Sequence, residues 1–409
     1  MTLAQNHQLP LSGNSCLIIC LFLFFTGCAP KIVQTVPKPV VTKAVETKAA
    51  EDKPEPKFTH ANIALLVPFR LNEINLKTAT KAEIEQSAMA IDFYQGFMLG
   101  VDSAAASGLN FKINVFDTRD ENSQIDELII KNSSLSQSDI IVGPVFPQGL
   151  KHITNFAKDK GIPVVNPLAA SHPSEFDNPS LISIVNNIDL HAAKVGRYIT
   201  KSYDPAKTIV VLINPKGPDQ VMAGPVRAYF AEHKQFVFQE YASVFTMEMS
   251  LVKGKTYVIV VASSDRAFVV PTIDKLVKMR NAGLNLVLYG HPDWIKQNYN
   301  IDKLQALRTT VSSSYKVNYT KEGVSTFIKK YRTKFKFEPG EYSFKGFDIG
   351  FYFASLITKH KADFLKSLTK EEYRGLHNNF SFYYHEKYGY INKSLMLLRY
   401  QDFALNVIE

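Results

Sequence analysis

Largely apolar runs of strand length recur along this chain, separated by stretches whose apolar residues fall at helical spacing. Residues 61–67 form one such run, closed by Pro68-Phe69. Over 88–105, Ile91, Tyr94, Met98 and Val101 make one stripe with Phe97 beside it, which predicts a helix that Gly108 ends. Residues 111–116 alternate as a second strand closed by Asp117-Thr118, and 123–134 reads as another helix. The clearest unit is 139–171. Ile140-Ile141-Val142 suits a buried parallel strand, and Gly143-Pro144 ends it because proline has no N–H for the ladder. From 148 to 160, Leu150, Ile153, Phe156 and Ala157 lie on one helical face, and Gly161 follows as a terminator. Residues 162–165 make the next strand, and Asn166-Pro167 opens a loop of small residues. The loops after both strands then share one sheet edge, where open α/β sheets bind ligands.

The alternation restarts after 181–184. Helices are expected at 189–202, 221–233 and 273–281, and strands at 208–213, 236–241, 256–262 and 285–289. An aromatic helix follows at 342–357, apolar almost all round through Phe347, Phe351, Leu356 and their neighbours. Residues 380–407 alternate as hairpin-like strands. This is the pattern of a doubly wound α/β protein long enough for two lobes.

In order, a strand, Gly-Pro, a loop, a helix, Gly-Ile-Pro-Val, a strand and a small-residue loop resemble the type I periplasmic-binding-protein fold. Its best-known members are the leucine/isoleucine/valine receptors of ABC transporters. The resemblance spans 58–409 and rests on 139–171, on 90–105 before it and on 330–356 after it. It implies two β-α lobes joined by three chain crossings, with a hinge and an interlobe cleft. The first lobe is expected at 58–184 and 313–379. The second is expected at 185–312 and 380–409, because in the family the tail completes the second lobe.

Composition adds an address. The apolar run 17–25 is too short to span a bilayer and ends in Phe25-Thr26-Gly27-Cys28, which resembles a bacterial lipobox. The expectation is a signal peptide over 1–27 and a diacylated Cys28; an ordinary secretory signal cut elsewhere is the alternative. The 3 cysteines, Cys16, Cys20 and Cys28, all lie in this segment, so the mature domain has no thiol to mispair or to act as a nucleophile. Residues 29–57 carry prolines at 30, 37, 39, 54 and 56 among Lys, Val, Thr, Ala and Glu, an extended linker. With no aspartate after Cys28, the pattern resembles outer-membrane sorting in a Gram-negative bacterium. The net charge of +9 falls wholly after residue 28 and could favour acidic envelope partners, whereas scattered lysines on an ordinary solvated surface are the simpler account. Export argues against nucleic acid.

The sequence carries no recognisable catalytic motif. Gly254-Lys255-Thr256 precedes a strand and has Met249 where a phosphate loop needs glycine. There is no G-x-G-x-x-G, G-x-S-x-G or H-E-x-x-H, and His377 and His385 are too far apart for a helical metal pair. Asp265 and Asp293 follow apolar strands and read as cleft lining or loop ends rather than an acid–base pair. No cofactor is expected.

Binding remains. In the amino-acid receptors the loops after the two central strands hold the α-carboxylate and α-ammonium with hydroxyls and backbone groups. By position, the first loop here supplies Phe146, Pro147 and Gln148, and the second supplies Ala170 and Ser171. Proline and alanine offer a carboxylate no side-chain donor, and an unpaired buried charge is costly. Asp293 stands near the position of the acid that holds the ammonium. The candidate cleft set is Pro68, Phe69, Asp117, Phe146, Gln148, Ala170, Ser171 and Asp293. Two functions fit. One is a non-enzymatic, membrane-anchored interaction module; outer-membrane lipoproteins that activate penicillin-binding proteins have a similar domain, so a peptidoglycan synthase, peptidoglycan or a small molecule are the expected partners. The other is a solute receptor feeding an ABC permease.

Overall fold

The computed structural model describes residues 59–409 apart from 76, 107 and 217–219. The expected signal peptide over 1–27, Cys28 and the linker to residue 57 lie outside the described residues.

The apolar runs form the centres of two seven-stranded sheets. In the first, β1 (His60–Val67), β2 (Asn110–Asp117), β3 (Ile140–Val142), β4 (Val164–Asn166) and β5 (Leu181–Ser183) lie parallel in the order β2-β1-β3-β4-β5. In the second, β6 (Thr208–Ile213), β7 (Val237–Tyr241), β8 (Thr256–Val261), β9 (Asn285–Gly290) and β10 (Thr310–Ser313) lie parallel in the order β7-β6-β8-β9-β10. Strands β3, β4 and β5 are buried at every residue because helices cover both faces, which is why they read as mainly apolar runs without alternation.

The tail corrects one expectation. After the ribbon β11 (Tyr373–Arg374) and β12 (Asn379–Phe380) come β13 (Phe382–His385) and β14 (Gly389–Asn392). β14 pairs in parallel with β5, so 382–392 complete the first lobe's sheet and not the second's. Only β15 (Met396–Gln401) and β16 (Ala404–Val407) extend the second sheet, through antiparallel pairing of β15 with β10. The open edge of β5 and the Tyr352 ring, whose centroid lies 5.0 Å from that of Phe380, draw this segment into the first core. Alternation predicts strands but does not say which edge they join.

Two helices also depart from expectation. The 123–134 segment breaks at Asn132, whose backbone is extended and whose side chain donates back to the Leu128 carbonyl. The helix expected at 273–281 begins at Arg266, with Asp265 as its cap accepting the Ala267 N–H at 3.0 Å and Pro271 inside it. Asp265 is therefore spent on a helix end.

Helices Ala88–Ala105 and Glu341–His360 cross at the heart of the first lobe. Gly96 and Gly100 on one face Gly346 and Gly350 on the other, and a Cβ at any of the four would overlap backbone of the opposing helix. The chain passes between lobes at 184–187, 314–321 and 393–395. Two of these crossings are stitched together: Asn186 Nδ2 donates to the Asn392 carbonyl at 2.7 Å, and Asn392 Nδ2 donates to the Ile184 carbonyl at 3.0 Å.

Candidate functional site

A cavity of about 440 Å³ opens between the lobes, within the range of small-molecule sites. The first lobe contributes Ala170, Ser171, His172 and Glu175 from the loop after β4. The crossing 185–187 supplies Asn186 and Asn187, and Asn187 caps the helix Ile188–Ser202 by accepting the Leu190 N–H at 3.1 Å. That cap aims the helix's first turn, with Asp189 and His191, into the cavity. The segment His291–Lys296 after β9 and the serines at the end of β10 line the remainder, followed by Tyr315.

His191 is buried among these groups. Its Nδ1 lies 2.9 Å from Ser312 Oγ and its Nε2 3.4 Å from Ser314 Oγ. Burial pushes its pKa down to about 3, with a further push from His291. The ring is neutral at physiological pH and works as a hydrogen-bonding group between two hydroxyls.

Asp293 is compensated from within the chain. Lys296 Nζ lies 2.9 Å from its Oδ1. His291 Nδ1 accepts the Asp293 N–H at 3.2 Å and lies 3.5 Å from Oδ2. Half-burial raises the Asp293 pKa, but Lys296 more than offsets this, and the carboxyl sits below its ordinary value. The carboxylate is ionised and already has a cation.

Of the residues expected at the cleft, Ala170, Ser171 and Asp293 line the cavity, while Pro68, Phe69, Asp117, Phe146 and Gln148 do not. Asp117 organises the turn after β1, accepting the N–H groups of Arg70 at 3.1 Å, Leu71 at 2.9 Å and Arg119 at 2.9 Å. Pro68 is buried, and Phe69 packs edge-on against Tyr94 with ring centroids 5.7 Å apart. Phe146 and Gln148 are exposed at the start of the helix Pro147–Lys160. The polar groups missed by sequence are His191, Lys296, Asn186 and Ser312 to Ser314. Three consecutive serines at the end of an apolar strand were the available signal, since that strand end faces the ligand edge. His191 and His291 stand a hundred positions apart, and only the fold brings them together.

The lining can hold a ligand by hydroxyl, amide and neutral imidazole groups over an apolar floor that includes Val185, Ile188 and Ile295. Among the described residues no group of three or more His, Cys, Asp or Glu side chains could hold a metal ion.

No family model matches the sequence, and no curated protein matches it. Solved structures do. A Rhodospirillum rubrum protein assigned to a branched-chain amino acid ABC transporter aligns over 85% of this chain and 100% of its own, with TM-score 0.62 and 14% identity. An ABC transporter substrate-binding protein from Desulfitobacterium hafniense, in complex with Leu, aligns over 85% of this chain and 100% of its own, with TM-score 0.53 and 13% identity. Full-length LpoA from Haemophilus influenzae aligns over 86% of this chain and 60% of its own, with TM-score 0.55 and 13% identity. With two parallel-cored lobes, three crossings and a cleft at the strand ends, the chain has the type I periplasmic-binding-protein fold.

Proposed function

We propose that this protein is a non-enzymatic interaction module of the cell envelope, anchored through Cys28, whose cleft takes a neutral, hydroxyl- or amide-bearing ligand instead of serving amino-acid uptake. The observation that carries this reading is Asp293. Its carboxylate already has Lys296 Nζ at 2.9 Å on Oδ1, so a ligand ammonium would meet an acid whose charge is partly answered. On the opposite wall Ala170 offers no side-chain donor, and Pro147 and Gln148 stand outside the cavity. A buried carboxylate without donors loses charge-assisted bonds worth roughly 1.5–3 kcal/mol each, and two such losses weaken binding by about two to four orders of magnitude. Ser171, the neutral His191 and the β10 serines suit a sugar or a neutral peptide fragment.

The accessory role draws support from the resemblance to outer-membrane lipoproteins that activate penicillin-binding proteins, from the fold shared with 60% of LpoA, and from the proline-rich spacer after Cys28. We place the protein at the periplasmic face of the outer membrane, with a peptidoglycan synthase or peptidoglycan as partner. Solute reception for an ABC permease is the second reading, favoured by the transport proteins that share the fold. Calorimetry of the full-length protein with leucine, isoleucine, valine and neutral peptidoglycan fragments separates the two. Weak or absent heats with the amino acids are expected. Micromolar binding of any of them, abolished by Asp293→Ala, would establish the receptor. Cys28→Ser is expected to release the protein from membranes, because a chain without acyl groups has no apolar anchor.

A further inference from the structure

A second pocket, of about 410 Å³, lies at the hinge and not in the cleft. First-lobe residues Tyr373, Arg374 and Phe380 meet second-lobe residues Met396 and Val407 there, with Lys316 and Ser394 coming from two of the crossings. Three cations converge on it: Lys316, Lys321 and Arg374. Among the described residues none of the three side chains has an ion-pair or hydrogen-bond partner. The one carboxylate in the lining is Glu372, which Ser381 Oγ approaches at 3.5 Å. His377, also in the lining, is held neutral by burial, which pushes it down to about 4. The pocket therefore keeps an excess of positive charge.

These cations are mounted on paired backbone. Arg374 stands opposite Asn379 in the β11–β12 ribbon. Lys316 donates its N–H to the His377 carbonyl at 2.9 Å, beside the bridge between Tyr315 and Asn378. Lys321 is the cap residue of the helix Glu322–Phe335 and makes no side-chain cap bond. A lysine at a helix N-terminus is opposed by the helix dipole, and Glu322 in the first turn only partly answers that. Like charges gathered around a concave, amide- and hydroxyl-lined surface repel one another until an anion sits among them.

We propose that this pocket is an anion site, for a carboxylate- or phosphate-bearing ligand, that ties the two lobes together at the hinge. It goes beyond the cleft reading, and neither stands or falls with the other. A free multivalent anion and an anionic envelope polymer present the same chemistry, and two probes distinguish them. Inorganic pyrophosphate and soluble polyglutamate are titrated into the full-length protein by calorimetry at low and physiological salt. Saturable pyrophosphate binding, weakened at least about tenfold by Arg374→Ala or Lys321→Ala and unchanged by Lys278→Ala on the far lobe, supports a small-anion site. Polyglutamate binding with the same sensitivity to those variants, in competition with pyrophosphate, supports a polymer site. The proposal is overturned if neither probe binds, or if Arg374→Ala and Lys321→Ala bind both as tightly as the wild type does.

Discussion

The Cα of Gly346 rests against the carbonyl oxygen of Phe93, so closely that a side chain at 346 would overlap it. Gly96 stands in the same relation to Ser343, and the two helices cannot separate without opening the aromatic core around Phe93, Phe97 and Phe353. Gly346→Ala is therefore expected to destabilise the protein by about 3 kcal/mol or more, the cost of overpacking against backbone that cannot rotate away. Gly224→Ala is the control. That glycine lies in the helix Ala223–Glu232 with open space around it, so alanine should be neutral or stabilise by up to about 1 kcal/mol. Thermal unfolding of the two variants checks both, and equal midpoints would mean that the helix crossing tolerates a side chain at 346.

Much of this fold is legible in the sequence because buried parallel strands leave apolar runs that nothing else explains. Residues 61–67, 140–142 and 256–261 all appear as expected strands. The glycine pairs at 96 and 100 and at 346 and 350 were also visible, but spacing alone does not say that two such pairs meet. Sheet membership of 382–392 was not legible, because alternation along a strand does not say which open edge it joins. The lining of the candidate cleft was legible only in part. Position after a strand located Ala170, Ser171 and Asp293, yet the same rule picked Phe146 and Gln148, which the start of the helix Pro147–Lys160 leaves facing solvent. Local pattern tells where a loop begins and not which way its side chains turn.

Asp348 shows how the hinge ribbon is held. Its carboxylate accepts the N–H groups of Leu376, His377 and Asn378 at 2.8 Å each and the Tyr373 hydroxyl at 3.1 Å. Burial pushes its pKa up to about 6 against the pull of those donors, which leaves it ionised at neutral pH. Asp348→Ala strands three backbone donors together and is expected to cost about 3–5 kcal/mol, read as a shift in denaturant midpoint. A change below about 1 kcal/mol would mean the 376–378 turn holds itself.

Lys296 should act as a mask on Asp293. Removing it with Lys296→Met leaves a half-buried carboxylate without its nearest cation, so its pKa should rise and its appetite for an external cation should grow. The expected result is a gain, by about tenfold or more, in affinity for an amine-bearing amino acid relative to wild type, measured by calorimetry. No gain would show that the missing donors on the first-lobe wall, and not the masked acid, limit zwitterion binding.

His191 sets the response of the fold to acid. Its ordinary pKa is 6.5 and its folded value about 3, because burial disfavours the imidazolium between Ser312 and Ser314. Between those values the unfolded chain binds a proton that the native chain does not. Its stabilising contribution is complete above about pH 6.5 and is lost as pH falls toward 3, at about 1.4 kcal/mol per pH unit. His377, pushed down to about 4, adds a contribution of the same sign over most of that window. Asp348 acts the other way: with a folded value of about 6, the native chain binds the extra proton as pH falls below that value. Of these three groups, the two imidazoles outweigh Asp348 on acidification from pH 7 to 5. His191→Gln keeps a group able to bond both serines and removes the titration, so it should lose about 2 kcal/mol less than the wild type between pH 7 and pH 5. Denaturant midpoints for the wild type and the variant at pH 7, 6 and 5 decide it. Curves that run parallel would mean that His191 takes up its proton without leaving the fold.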